Sequence, residues 1–268
     1  MLGPKLDETV FKRIVIHMLR SLDFLHTKAK MVHTDIRPQN IHLTPVDDVC
    51  FELMEQVEFD HIPSNRKVDG ERIIYVTCPF ELPSGLENFG VPVLIDYGEA
   101  RFGQDTYMDR IQPYMYQAPE VIFNVPWSYS ADIWNAGVMF WDFFEGKRLL
   151  SAADDDGNES IYHLAAEMVA LMGSPPQYFL DSLSPGPRNT CFGNNGNWSC
   201  PKDIQIPALS LETAETALKN AGKDSTAFLD FMRRIIVWDP RKRPSAAQLL
   251  EDPWLKDVVV PETGLFEV

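Results

Sequence analysis

The stretch from Ser130 to Phe144, Ser-Ala-Asp-Ile-Trp-Asn-Ala-Gly-Val-Met-Phe-Trp-Asp-Phe-Phe, is apolar nearly all the way round at helical spacing. A helix with no polar face has no stable place on a surface, so this one predicts the centre of a mainly α core with other elements wrapped round it. Ser130 stands where a side-chain cap is expected. At 268 residues the chain is long enough to enclose such a rod in one domain or one large lobe.

Upstream, Val10, Ile14, Met18, Leu22 and Leu25 recur at intervals of four and three between the acids at Asp7 and Glu8 and the basic pair His26 and Lys28. That spacing predicts an amphipathic helix from about Asp7 to Lys28. It runs into His33-Thr-Asp-Ile-Arg-Pro-Gln-Asn40, where Pro38 removes a backbone donor and restrains Arg37, so Asp35 and Asn40 belong on a loop. A carboxylate and an amide oxygen at that separation suit phosphoryl transfer, one orienting a hydroxyl and the other holding a metal. Val93-Leu-Ile-Asp96-Tyr-Gly reads as a short strand delivering a second carboxylate, with Gly98 expected to turn the backbone away.

Between these motifs, residues 44–91 show little helical periodicity, several prolines and an extended-looking run from Arg72 to Thr77, and residues 174–223 are rich in Pro, Gly and Asn. Both are read as insertions. Ile161, Leu164, Met168 and Leu171 predict another helix, as do Phe228, Leu229, Met232, Ile235 and Ile236; Trp254 is a candidate core residue.

The formal net charge of -15 argues against direct binding of a nucleic-acid backbone and favours a basic partner. Cys50, Cys78, Cys191 and Cys200 form no C-x-x-C pair, and are expected as free thiols, although Cys191 and Cys200 bracket a loop that a bridge could close. Asn158-Glu-Ser and Asn197-Trp-Ser fit the glycosylation sequon without a signal peptide, and the first apolar segment carries Lys12, Arg13, His17 and Arg20, so no membrane partner is expected.

In order, the His33–Asn40 loop, Asp96-Tyr-Gly, Ala118-Pro-Glu120, Asp132-x-Trp-x-x-Gly137 and the turn Trp238-Asp-Pro-Arg-Lys-Arg243-Pro resemble the motif series of eukaryotic protein kinases. The resemblance implies a kinase-like C-terminal lobe over residues 1–268: mainly α with a few short strands, the N-lobe absent. No Gly-rich phosphate loop, V-A-I-K lysine or partner glutamate precedes the first helix. It implies ATP and Mg2+ as cofactors, Asp35 as the catalytic base, Arg37 near the transferred phosphate, and Asn40 and Asp96 as magnesium and nucleotide-site ligands. His33, Glu120, Asp132 and Arg243 then have structural parts, Glu120 pairing with Arg243 and Asp132 accepting backbone hydrogen bonds from the catalytic loop.

His-Thr-Asp in place of His-Arg-Asp, the long excursion before Asp96, and Ile111-Gln-Pro-Tyr-Met-Tyr are similar to the SR-protein kinases, especially divergent fungal members. That resemblance implies a serine/threonine kinase acting on a basic, Arg/Ser-rich protein, monomeric and cytoplasmic or nuclear. With Thr34 in place of arginine the loop lacks the cation that reads a phosphorylated activation segment, so Thr106 and Tyr107 are expected as plain surface residues. Arg37 replaces the usual lysine and Tyr97 the usual phenylalanine. The rival expectation is a non-catalytic, truncated or pseudokinase module whose acidic groove docks a basic partner.

Overall fold

A computed structural model describes residues 7–45, 48–61, 66–75, 89–193, 196–200 and 204–261. Helix α1 (Glu8–Phe24) starts at Asp7, whose carboxylate accepts the Thr9 N–H at 2.8 Å. It then widens into a π turn, Leu25–Ala29, closed by Lys30 at φ 54°. A wide turn re-aims the side chains after it; here it points His26 inward.

Strand β1 (Met31–Val32) precedes the Asp35 loop and a 3-10 turn at Pro38–Asn40, and β2 (Ile41–Pro45) follows. The chain then makes an excursion: helix α2 (Val49–His61) and the hairpin of β3 (Arg66–Asp69) with β4 (Arg72–Tyr75). It returns through β5 (Phe89–Leu94), antiparallel to β2 with Ile41 opposite Leu94, and β6 (Arg101–Phe102) closes on β1. Residues 44–91, read as having little helical periodicity, nevertheless include the helix α2. Its Phe51, Leu53, Met54, Val57 and Phe59 are all exposed and fall around the helix instead of along one stripe, which hides the period. Val76 and Thr77 of the extended run lie outside the described residues, as do Cys78 and the side chain of Cys50.

Helices α3 (Pro119–Ile122) and α4 (Ser130–Glu145) come next, and every residue of α4 from Ala131 to Asp142 is buried. The cap differs from expectation: Tyr129 occupies the N-cap without a side-chain bond, and Ser130 is the first helical residue. Helices α5 (Ile161–Met172), α6 (Gln177–Ser182), α7 (Pro185–Cys191), α8 (Leu211–Ala214), α9 (Ala217–Asn220), α10 (Thr226–Ile235) and α11 (Ala246–Leu250) follow, and the rod packs against α1 and α10. Among its described residues, 174–223 holds four short helices and sends Phe179, Phe192, Leu211 and Leu218 into the core. Cys191 and Cys200 are free thiols, and burial pushes the Cys191 thiol up to about 12.

Two aromatic clusters join the layers. Phe11 stacks on Phe144 at 4.7 Å, while Phe228 and Phe231 meet Trp254 at 5.2 and 4.9 Å, so Trp254 ties α1 and α10 together. Phe123, Phe179, Phe192 and Trp238 form the second. Tyr107 is not a surface residue: it is buried, stacks on Trp127 at 4.8 Å and exchanges backbone hydrogen bonds with it, whereas Thr106 is exposed. Among the described residues no helix is long and apolar enough to cross a membrane.

Where α4 meets α10, the Ile235 side chain packs onto the bare backbone of Gly137. A Cβ on Gly137 would lie 2.3 Å from Ile235 Cγ2, inside any tolerable contact. Gly137→Ala should therefore destabilise the chain by roughly 1–3 kcal/mol, because overpacking outweighs the ~0.5–1 kcal/mol that alanine gains in helix propensity. Urea unfolding of Gly137→Ala, Ile235→Ala and the double variant checks it: the double should cost less than the sum of the singles.

Candidate active site

Asp132, in the first turn of α4 and wholly buried, holds the loop from below. Its Oδ2 accepts from the His33 N–H at 2.7 Å and faces His26 Nε2 at 2.9 Å; its Oδ1 accepts from the Thr34 N–H at 2.8 Å. One carboxylate thus ties the π turn and the Asp35 loop to the core rod. One turn on, Asn135 repeats the grip, accepting from the Ile36 N–H at 3.0 Å and donating to the Ile36 carbonyl at 2.5 Å. The holding roles of His26 and Asn135 are not legible in the sequence: His26 reads only as a basic residue at the end of the first helix, and Asn135 stands at an unspecified position of Asp132-x-Trp-x-x-Gly137.

The loop is bent to fit this grip. Thr34 has φ 71°, a left-handed conformation that costs a β-branched residue on the order of 1–2 kcal/mol. Its N–H bond to Asp132 and its hydroxyl bond to the Glu99 carbonyl at 2.8 Å offset that strain. His33 is buried between the two halves of the site: Nδ1 accepts from the Asp35 N–H at 3.3 Å and Nε2 donates to the Ile95 carbonyl at 3.1 Å, which fixes a neutral tautomer.

Asp35 is part-exposed. Asn40 Nδ2 donates to its backbone carbonyl and to Oδ2, both at 2.8 Å, and Arg37 Nε lies 3.2 Å from the same Oδ2. Both neighbours crowd one oxygen, and among the described residues nothing donates to Oδ1. With its nitrogen turned to Asp35, Asn40 has an amide oxygen that no donor among the described residues engages. The Ile95 N–H donates to the Asn40 carbonyl at 2.9 Å and Ile41 pairs with Leu94, so the next residue, Asp96, arrives beside Asn40. Asp35 and Asn40 are thus bonded to each other, and the backbone pairing sets Asp96 one position beyond a residue bonded to Asn40. Asp96 itself makes the turn, at φ 65°, with Oδ1 accepting from the Gly98 N–H at 3.3 Å; the turn expected of Gly98 sits two residues earlier. The Tyr97 hydroxyl donates to the Leu94 carbonyl at 2.9 Å, its ring leans on His33, and burial raises its pKa.

A recess of about 550 Å3 opens beside Asp35, lined also by Thr34, Glu99, Arg110, Tyr114 and Glu159. Its floor is shaped by Gln112, at φ 71°, whose Nε2 donates to the Ala131 carbonyl and whose Oε1 accepts from the Ala118 N–H, each at 2.8 Å. Sequence reasoning missed Gln112 as well. Behind the recess, Arg243 makes a two-pronged pair with Glu120 at 2.5 and 2.7 Å, both side chains fully buried.

Tyr116, at the end of the same segment, donates its hydroxyl to Asp142 Oδ2 at 2.9 Å, and the Leu149 N–H donates to Oδ1. Burial pushes the Asp142 carboxyl up to about 6, although those two donors and nearby Arg148 pull it down. Burial also raises the Tyr116 phenol, with Asp142 adding to the effect. A carboxyl raised in the folded state stabilises it while protonated, and that stability is lost as pH rises through about 6. Asp142→Asn removes this dependence. Its stability relative to the parent should rise by up to about 3 kcal/mol between pH 4 and pH 7, read from urea midpoints.

Residues 86–255 match the protein kinase domain family model. A serine/threonine protein kinase of Aspergillus fumigatus is 39% identical over 250 residues, covering 93% of this chain and 58% of the relative. A serine/threonine-protein kinase SRPK of Physarum polycephalum is 22% identical, covering 90% of this chain and 59% of its own length. The chain thus spans a little under three fifths of these curated relatives. A solved kinase domain, that of PF14_0431, superposes with a TM-score of 0.64 at 23% identity, over 94% of this chain and 67% of that one, so the fold is that of a kinase domain.

Proposed function

This chain belongs to the protein kinase domain family, and from that premise we propose that it is the C-terminal lobe of a serine/threonine kinase of the SR-protein-kinase type. The reaction is transfer of the ATP γ-phosphoryl group to a serine of a basic protein. The observation that carries this reading is the Asp35 carboxylate: Oδ2 is held by Asn40 while Oδ1 is left free beside a substrate-sized recess.

Asp35 Oδ1 accepts the hydrogen bond of the incoming serine hydroxyl and takes its proton as the phosphoryl group moves; the contribution is orientation more than basicity. Arg37 neutralises charge on the transferred group, and Asn40 positions Asp35 through its amide nitrogen. Magnesium is a hard cation that takes one or two side-chain oxygens plus phosphate and water, and the Asn40 amide oxygen with the Asp96 carboxylate fits that need. Magnesium-ATP supplies the phosphoryl group and most of the charge compensation. Glu99 and Glu159 in the recess suit a basic residue beside the target serine.

The C-terminal-lobe assignment rests on the order of the motifs, which begins at the Asp35 loop with no Gly-rich phosphate loop found ahead of it. By this reading the chain alone shows no thermal shift with magnesium-ATP. The test uses a longer protein that carries a Gly-rich loop and strand lysine ahead of this chain, given magnesium-ATP and either an Arg/Ser-repeat peptide or a serine peptide without arginine. Phosphorylation of the first alone supports the proposal. Equal use of both removes the SR-type specificity, and phosphorylation of neither makes the chain a non-catalytic docking module.

A further inference from the structure

On an acidic chain, one concave surface is basic. A cleft of about 570 Å3 lies between the end of α10, the 3-10 turn Pro240–Lys242 and α11. Arg234, Arg241 and Lys242 face it, with Pro244, Ala247 and Gln248 along its wall. The arginines are held from behind. Arg241 presents Nε and one terminal nitrogen to Asp239 at 2.9 and 3.2 Å and lies 4.5 Å from the Tyr178 ring, and Arg234 gives one nitrogen to Asp252 at 2.5 Å. Both carboxylates are buried and also cap their own turns, accepting the N–H groups of Arg241 and Trp254.

Each guanidinium therefore uses one edge inside and keeps further N–H groups for the cleft. Lys242 Nζ is exposed, 5.6 Å from the same tyrosine ring, with no carboxylate partner among the described residues. The one acid on the wall, Glu251, is engaged by Lys256 at 2.6 Å. Fixed planar donors backed by buried carboxylates are a pre-oriented receptor for carboxylate or phosphate oxygens. Those inner pairs also serve the turns that carry them, but turn capping does not account for an outward lysine beside two outward guanidinium edges.

We propose that this cleft docks a short acidic segment of a partner protein, bearing glutamate or aspartate carboxylates. The net charge of -15 repels a long polyanion such as a nucleic acid, whereas screening over about 10 Å leaves a short segment to feel chiefly the three local cations. The apolar wall and the Gln248 amide suit a peptide better than a free ion. Arg243, at the back of the cleft, also donates to the Ser130 carbonyl at 3.1 Å and pairs with Glu120, so the docked segment would sit behind the anchor of the segment that shapes the Asp35 recess. The proposal does not depend on phosphoryl transfer.

Fluorescence anisotropy of this chain tests it, using labelled twelve-residue peptides of alternating Ser and Glu, the same peptide with phosphoserine, and a Gln-for-Glu control. The proposal expects salt-sensitive binding of the Ser-Glu peptide and none of the neutral one, with Lys242→Glu weakening the affinity by about tenfold or more, the equivalent of one charge-assisted contact. Lys67→Glu makes the same charge change on exposed β3 and should weaken it far less. Binding of the Ser-Glu peptide is what an acidic segment requires, and binding of the phosphopeptide alone would overturn the proposal. Equal loss in the two variants, equal binding of the neutral peptide, or inorganic phosphate binding as tightly as the peptides would overturn the proposal. Thermal unfolding of Lys242→Glu checks that the fold is intact.

Discussion

Glu120→Ala should lower the stability of this chain by about 3–5 kcal/mol, which is how far breaking one side of a buried pair reaches. The size follows from what would be left behind. Arg243 sits fully buried, 5.1 Å from the Trp134 ring, and beyond Glu120 its acceptors are the carbonyls of Val237 and Ser130, each at 3.1 Å. Those dipoles do not cancel a full charge. Against a total stability of ~5–15 kcal/mol the loss is a large share, and for a chain of this size it lowers the melting midpoint on the order of 10 °C. Replacing both partners with apolar residues, Glu120→Leu with Arg243→Met, should recover much of it, since no charge is then stranded. Urea unfolding of the singles and the double measures this. A Glu120→Ala cost under about 1 kcal/mol, the value of an exposed pair, would contradict the geometry.

Asp35→Asn should act on rate, not on folding. Positioned proton-accepting groups contribute about 10²–10⁴ in rate, so phosphorylation by the longer protein should fall by that factor with little change in the Michaelis constant for peptide. The side chain is part-exposed and its structural engagement is confined to Oδ2, so the melting midpoint of this chain should scarcely move. Steady-state kinetics and thermal unfolding of the same variant separate the two effects. A drop in activity matched by a comparable drop in stability would make Asp35 a structural residue.

Much of the scaffold is legible in the chain because its signals are local. The all-round apolar pattern of α4 can only be a core helix, the period of α1 survives into the fold, and Asp35, Asn40 and Asp96 stand next to elements that pair. The grip on the loop is only half legible. Asp132 stands in a spaced motif, but His26 reaches it through a π turn that no periodicity encodes, and Asn135 hides among apolar neighbours. Gln112 is similar, since its two bonds go to residues that approach only after folding. Tyr107 looks exposed in a polar stretch until Trp127 covers it, and the Pro-, Gly- and Asn-rich composition of 174–223 conceals short helices whose stability comes from Phe179 and Phe192 packing on Trp238 instead of from helix propensity. The left-handed turn at Asp96 is the clearest misassignment: glycine tolerates such a turn best, but a short polar side chain that bonds its own backbone also suffices.

Because a single carboxylate receives donors from two separate pieces of chain, the π turn and the start of the Asp35 loop share one anchor on α4. Any tilt of α4 is passed on undiminished to Thr34 and Ile36, so substitutions deep among the aromatic residues, far from any ligand, would be felt as misalignment at the acceptor hydroxyl. Warming that loosens the interior should blunt transfer before it melts the chain.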